Sequence, residues 1–271
     1  MKQFLLILTL ASLTTAAHTQ NRPAVDVTTP PDSLGLDTTF YKKYMNVNGL
    51  AVCSSSQVPD SCFEAAYITF EALTRMLPPE VMHSLTSRGA RVTIMSKDEQ
   101  TCDVPEHAHL ANDPDTDWNW RARGLGGTLR LPMSSCAEEN IMHYRNDRYY
   151  NEDITIHEFA HTIHNVGIAP VFPDFNRELR ACFDKARQEG KWHNTYAGSN
   201  LQEYWAEGVQ CWFNVNLEVS NENGNGVHNR VNTREELRRY DPDFYDILSR
   251  FFPDTDEHIS RHPYQNRFVQ P

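Results

Sequence analysis

One five-residue stretch constrains this chain more than any other: His157-Glu158-Phe159-Ala160-His161, set inside the apolar run from Ile154 to Ile163. On an α-helix, residues four apart lie nearly one above the other, separated by about 6 Å along the axis. Both imidazoles then project from one face and can meet a single divalent cation. Glu158 stands beside them, where a carboxylate can take a proton from a water held at that cation. A plain amphipathic helix with two surface histidines would look the same over five residues, so the surroundings decide. Asn151 or Asp153 can cap the start of this helix and Gly167 can end it.

A catalytic zinc usually keeps three protein ligands and one open position. His164 is close in sequence, but it lies about 10 Å along the helix from His157, too far to share one ion. It reads instead as a packing residue or a hydrogen-bond partner. The longer HExxHxxGxxH pattern fails, because His164 stands where Gly should be and Gly167 where His should be. The better third ligand lies downstream. Ser199 or Asn200 caps a helix reaching about Phe213, with Leu201, Trp205, Val209 and Trp212 on one stripe and Glu203 and Glu207 four apart on another. Two carboxylates so placed repel unless a cation or histidines lie between them. Glu203 is therefore expected to complete the metal site, and Glu207 to hold a ligand histidine by its other ring nitrogen.

His157-Glu158-x-x-His161, then Tyr196, then Glu203 seven residues later with Glu207 one turn behind it, resembles the zinc peptidases of the anthrax lethal factor and Pro-Pro endopeptidase type. These belong to the gluzincin branch of the zincin fold. The resemblance covers residues 157–213 in motif and spacing. It implies that His157, His161 and Glu203 bind one Zn²⁺, that Glu158 is the general base, and that Tyr196 donates a hydrogen bond to the developing oxyanion. The chemistry agrees with each role. Two neutral imidazoles and one carboxylate leave the ion a net positive charge, which lowers the pKa of its water. A phenol can favour an oxyanion that exists only near the transition state.

The remainder of the chain sets the context. Residues 1–17 read as a secretory signal: Lys2, an apolar stretch from Phe4 to Leu13, and a small-residue site at Thr15-Ala16-Ala17. That stretch is too short to span a bilayer. Net charge is -11, which disfavours nucleic acid and anionic membranes as partners. No Asn-x-Ser/Thr acceptor occurs. An even set of cysteines in a secreted chain (Cys53, Cys62, Cys102, Cys136, Cys182 and Cys211) points to three disulfides, with Cys53–Cys62 the shortest loop to close. None has the CxxC spacing of a zinc knuckle.

Residues 18–38, rich in Pro, Thr and Asp, read as a flexible leader or short pro-segment. A short strand interrupted by Asn48-Gly49 is expected over 47–52, helices over 63–76 and 80–86, and a strand over 90–95. Residues 102–122 look loop-like. His107 and His109 there could share a strand face around a second metal, but an exposed polar loop is the simpler reading. The Gly-rich stretch from Arg121 to Leu129 lacks the ending of a phosphate loop. It is either a plain turn or an edge strand against which an extended peptide can pair. Further helices are expected over 175–188, 233–239 and 241–251.

The expected fold class is α+β and zincin-like, with a small mixed sheet in the N-terminal layer. A mainly helical C-terminal layer follows, and the HExxH helix lies between the two. One catalytic domain spans 39–271. The expected function is a secreted, monomeric, zinc-dependent endopeptidase acting on peptide or protein substrates, soluble once the signal is removed. Two alternatives share the residues: a zinc-binding toxin or adhesion module without catalysis, and a zinc hydrolase of non-peptide amides. Retained Glu158 and Tyr196 argue against the first, since metal binding alone needs neither.

Overall fold

A four-stranded sheet in order β1-β2-β3-β4 lies in the N-terminal half of the chain, and its two central strands and β4 are buried almost throughout. This is a computed structural model, and it describes residues 25–221 and 223–263. Strands β1 (Lys43–Val47) and β2 (Leu50–Ser54) are antiparallel, while β3 (Arg91–Met95) and β4 (Met133–Ala137) continue parallel to β2. The expected single strand over 47–52 is in fact a hairpin. Asn48 (φ 52°) and Gly49 (φ 92°) form its two-residue turn, the geometry for which Asn-Gly is the strongest short sequence signal. Strand β4 was not anticipated at all, because Ser134 and Ser135 break the apolar pattern.

Helices α1 (Asp60–Met76) and α2 (Pro79–Ser87) connect β2 to β3 and cover one face of the sheet. Along β2, Leu50 and Val52 face this main core, while Ala51 and Cys53 face a smaller cluster with Tyr41. After β3 the chain runs through short helical turns and α3 (Trp118–Arg121) to β4 and α4 (Glu138–Ile141). Helix α5 (Ile154–Thr162) carries the HExxH stretch and packs against β4. Helices α6 (Ala169–Val171), α7 (Phe175–Gln188), α8 (Leu201–Trp212), α9 (Arg234–Tyr240) and α10 (Pro242–Ser249) build the second layer. Among them, α8 lies directly on α5. The result is a mixed α+β architecture with the motif helix between a sheet layer and a helical layer.

Two expectations change. Gly167 does not end the motif helix. The helix widens into a π turn over Ile163–Ile168, and Gly167 sits where a Cβ would come 2.8 Å from Val81 Cγ1. It is a close-packing position against α2. The three disulfides are absent, and all six cysteines are free thiols. Strand alternation explains the most obvious case, because Cys53 faces the Tyr41 side of the sheet whereas Cys62 lies in the main core on the other side. Elsewhere the thiols have separate partners: Cys182 meets the Tyr204 hydroxyl at 3.3 Å, and Cys211 donates to the Val231 carbonyl at 3.4 Å. Within the 18–38 stretch, one described residue bridges to the sheet. Thr28 and Tyr44 exchange both backbone hydrogen bonds, at 2.9 and 2.8 Å. Residues 1–17 and 18–24 lie outside the described residues. No described helix is long and apolar enough to cross a membrane.

Candidate metal centre

Capping fixes where each of the two site helices begins. The Asp153 carboxylate accepts from the Ile156 amide at 2.9 Å and so starts α5. The Asn200 side chain accepts from the amides of Gln202 and Glu203 and so starts α8. Each cap satisfies backbone donors that the helix itself cannot. The register between the helices is then fixed by Trp205, whose buried indole donates to the Ala160 carbonyl at 2.9 Å.

With the helices locked, three donor atoms converge. Glu203 Oε2 lies 3.0 Å from His157 Nε2 and 3.4 Å from His161 Nε2. The two imidazole rings meet edge-on, with centroids 4.9 Å apart. Among the described residues, His157, His161 and Glu203 form one of two clusters that could hold a metal ion. Burial opposes a charged His157, yet its hydrogen bond to Glu203 and the nearby acids outweigh that and hold its pKa up at about 10. Burial likewise opposes ionised Glu203, but both histidines hold its carboxyl well below the usual range. The Glu203 carboxylate thus stays ionised between the two imidazoles.

Glu158 reaches the neighbouring cleft. Burial raises its pKa, and His157 and His161 counteract this. The cleft measures about 870 Å³ and is lined by Trp118, Arg121, Gly124, Leu125, Gly126, Tyr149 and Tyr196 as well as the metal-site residues. Tyr196 lies on the loop before α8, fixed by its amide bond to the Val227 carbonyl at 2.7 Å. Its ring stacks on His157 with centroids 6.2 Å apart, and its hydroxyl accepts from Arg121 Nη2 at 3.5 Å. Burial raises the Tyr196 pKa, so the phenol keeps its proton.

The Gly-rich stretch forms one wall of the cleft. Leu125 and Ser135 exchange backbone hydrogen bonds at 3.3 and 2.9 Å, an antiparallel bridge that adds residues 124–127 to the edge at β4. Its glycines are required by the helix behind. A Cβ on Gly126 would come 2.4 Å from His161 Cβ, one on Gly124 2.9 Å from Glu158 Cγ, and one on Gly127 2.6 Å from Thr162 Oγ1. The Gly127 amide also donates to that hydroxyl at 2.9 Å.

Glu207 is placed differently from expectation. Its Oε1 is 3.6 Å from His157 Nδ1, outside hydrogen-bonding distance. Gln210 is the residue that accepts from Nδ1, at 2.8 Å. Sequence reasoning passed over Gln210, although it lies on the same helical stripe as Glu203 and Glu207. Arg121 was seen only as the start of the Gly-rich stretch, and Glu152 and His228 were not singled out. No spacing signal ties these three to α8. His164 is not drawn into the trio: its Nε2 bonds to Asn176 Oδ1 at 2.7 Å and burial lowers its pKa to about 4. The histidines of the 102–122 segment diverge. His107 is buried with Nε2 3.0 Å from Ser135 Oγ, whereas His109 is exposed and bonds locally to the Glu106 carbonyl.

No family model matches this chain, and no curated protein matches it. Among solved structures it is similar to the PRO-PRO endopeptidase (PPEP-2) from Paenibacillus alvei, at a TM-score of 0.45 and 16% sequence identity. The match covers 73% of this chain and 95% of that one.

Proposed function

We propose that this chain is a zinc-dependent endopeptidase of zincin-like fold, secreted after removal of residues 1–17. The observation that carries the reading is the approach of Glu203 Oε2 to within 3.0 and 3.4 Å of the two histidine Nε2 atoms from a separate helix. Tetrahedral zinc with ligand bonds near 2.0–2.2 Å spaces its donors by about 3.4 Å, so the trio fits the ion. His157, His161 and Glu203 would hold it. When bound, it would polarise a substrate carbonyl and lower the pKa of a water.

The chain's own residues supply the other parts. Glu158 accepts the proton of the attacking water and delivers it to the leaving amine. The Tyr196 phenol donates to the oxygen on which negative charge develops, a contact stronger in the transition state than in the ground state. In an antiparallel edge, backbone groups alternate in direction. Since Leu125 pairs with β4, the amides and carbonyls of Gly124 and Gly126 face the cleft, where an extended peptide can add as a strand.

Metal analysis of the purified protein, combined with a peptide-library digest, tests this reading. His157→Ala, His161→Ala and Glu203→Ala are each expected to lower zinc content. Glu158→Gln should keep zinc and abolish cleavage. Tyr196→Phe should keep zinc and reduce turnover by roughly 10²–10³-fold. Unchanged zinc stoichiometry in Glu203→Ala would show that the third ligand is wrong. Bound zinc without cleavage of any peptide would leave only a binding module or a hydrolase of other amides.

A further inference from the structure

Behind the metal trio lies a second buried cluster. Glu152, Glu207 and His228 are 8%, 3% and 5% exposed. Their donors are close enough to suggest another ion, but the ring geometry speaks against one. His228 faces Glu152 Oε1 with Nε2 at 3.5 Å and Glu207 Oε2 with Nδ1 at 3.6 Å. A single ion would take one ring nitrogen and leave the other facing a carboxylate. A neutral imidazole fares no better, because it carries one N–H and would turn a lone pair toward the second carboxylate. An imidazolium is attracted to the carboxylates on both sides, at ion-pair rather than hydrogen-bond distance on the Nδ1 side. The two carboxylates outweigh the opposing effect of burial and raise the pKa of His228 to about 10.

We infer that His228 is a positioning residue for the metal centre, a charged ring clamped between Glu152 and Glu207 that fixes Glu207 beside His157. The inference rests on the proposed metal site for its function, but not for the clamp itself. Glu207 is divided between two tasks. Its Oε1 stands 3.6 Å from His157 Nδ1, while its Oε2 faces His228 and accepts from Asn216 Nδ2 at 2.9 Å. Gln210 closes the circuit, its oxygen on His157 and its amide nitrogen donating to the Asp153 carbonyl at 3.1 Å and toward Glu152 Oε2 at 3.5 Å. Two buried carboxylates with no cation between them would repel each other and move apart. The residue before His228 supplies the second link, since the Val227 carbonyl holds the Tyr196 amide. The 227–228 pair therefore ties the ligand histidine and the phenol to one piece of backbone.

Two measurements on the full chain decide the matter. In zinc-free wild type at pH 8, where an ordinary imidazole is neutral, ¹⁵N–¹H spectra should show both ring nitrogens of His228 protonated. A neutral ring would overturn the clamp, whether or not any variant folds. The second measurement is zinc affinity by competition with a chromogenic chelator, for His228→Gln, Glu207→Gln and the double variant, with circular dichroism confirming the fold. Each single variant should bind zinc about 10–100-fold more weakly. The double variant should be no weaker than the worse single, because the two act in series. Additive losses, unchanged affinity in His228→Gln, or a second zinc equivalent that His228→Gln removes would each overturn the inference. Wild type that takes up no zinc would sink the metal-site reading alone, and the ring state of His228 would still decide the clamp.

Discussion

Histidine serves two electrostatic ends in this chain, and its surroundings decide which. His157 and His228 sit among carboxylates, which outweigh burial and raise the pKa of each to about 10. His107 and His164 are buried among neutral groups, and burial pushes both down to about 4. The sign of the pH effect follows for His107. The unfolded ring binds a proton near pH 6.5, whereas the folded one resists until about 4. Its contribution to stability is therefore complete above pH 6.5 and is lost as pH falls from there toward 4. Denaturant titrations at pH 7 and 4.5 should show His107→Asn losing less stability on acidification than wild type, by at most about 3 kcal/mol. The motif histidines were legible in the sequence because four-residue spacing carries geometry with it. His228 was not, because no local pattern marks a loop residue whose partners are 21 and 76 positions earlier. Thiols follow the same environmental logic. Burial raises the pKa of all six, to about 12 for Cys53 and about 11 for Cys182. Mass spectrometry after alkylation should find six modified cysteines in denaturant, and Cys102, the one not fully buried, reacting first in the native protein.

At the level of elements, helices with clean apolar periodicity could be read to within a few residues: 63–76 against 60–76, and 175–188 without change. Strand β4 was hidden because both of its faces are covered, which removes the alternation a half-exposed strand shows. The Gly-rich stretch left two readings open in the sequence. Its pairing with Ser135 favours the edge strand, and the helix behind explains the choice of residue. Gly126→Ala tests this directly. The added methyl would meet His161 at 2.4 Å, so one element must shift. A loss of about 1–3 kcal/mol in denaturant stability is expected, together with weaker zinc binding, because the displaced side chain is a proposed ligand. A variant with wild-type stability and zinc affinity would show that the strand stands farther from α5.

For the molecule as a whole, the proposed metal donors sit on α5 and α8, whose contact joins the sheet layer to the helical layer. An ion that binds the folded chain alone stabilises it by mass action. At free zinc 100-fold above Kd the gain is about 2.7 kcal/mol, or roughly 5–10 °C in Tm for a domain of this size. Thermal melts with zinc and with chelator should differ by that amount, and His157→Ala should abolish the difference. The same architecture divides the work of recognition. One side of the cleft is main chain flush against α5, with no room for a protruding group at Gly124, Gly126 or Gly127. On the proposed function, such a surface would grip any stretched polypeptide alike, blind to what the residues are. Selectivity for one sequence over another would, on the same proposal, come from the rest of the lining, where Trp118, Tyr149 and Tyr196 offer large aromatic surfaces. If the proposed peptidase reading holds, exchanges at Trp118 or Tyr149 should alter which bond is cut while sparing the residues assigned to hydrolysis.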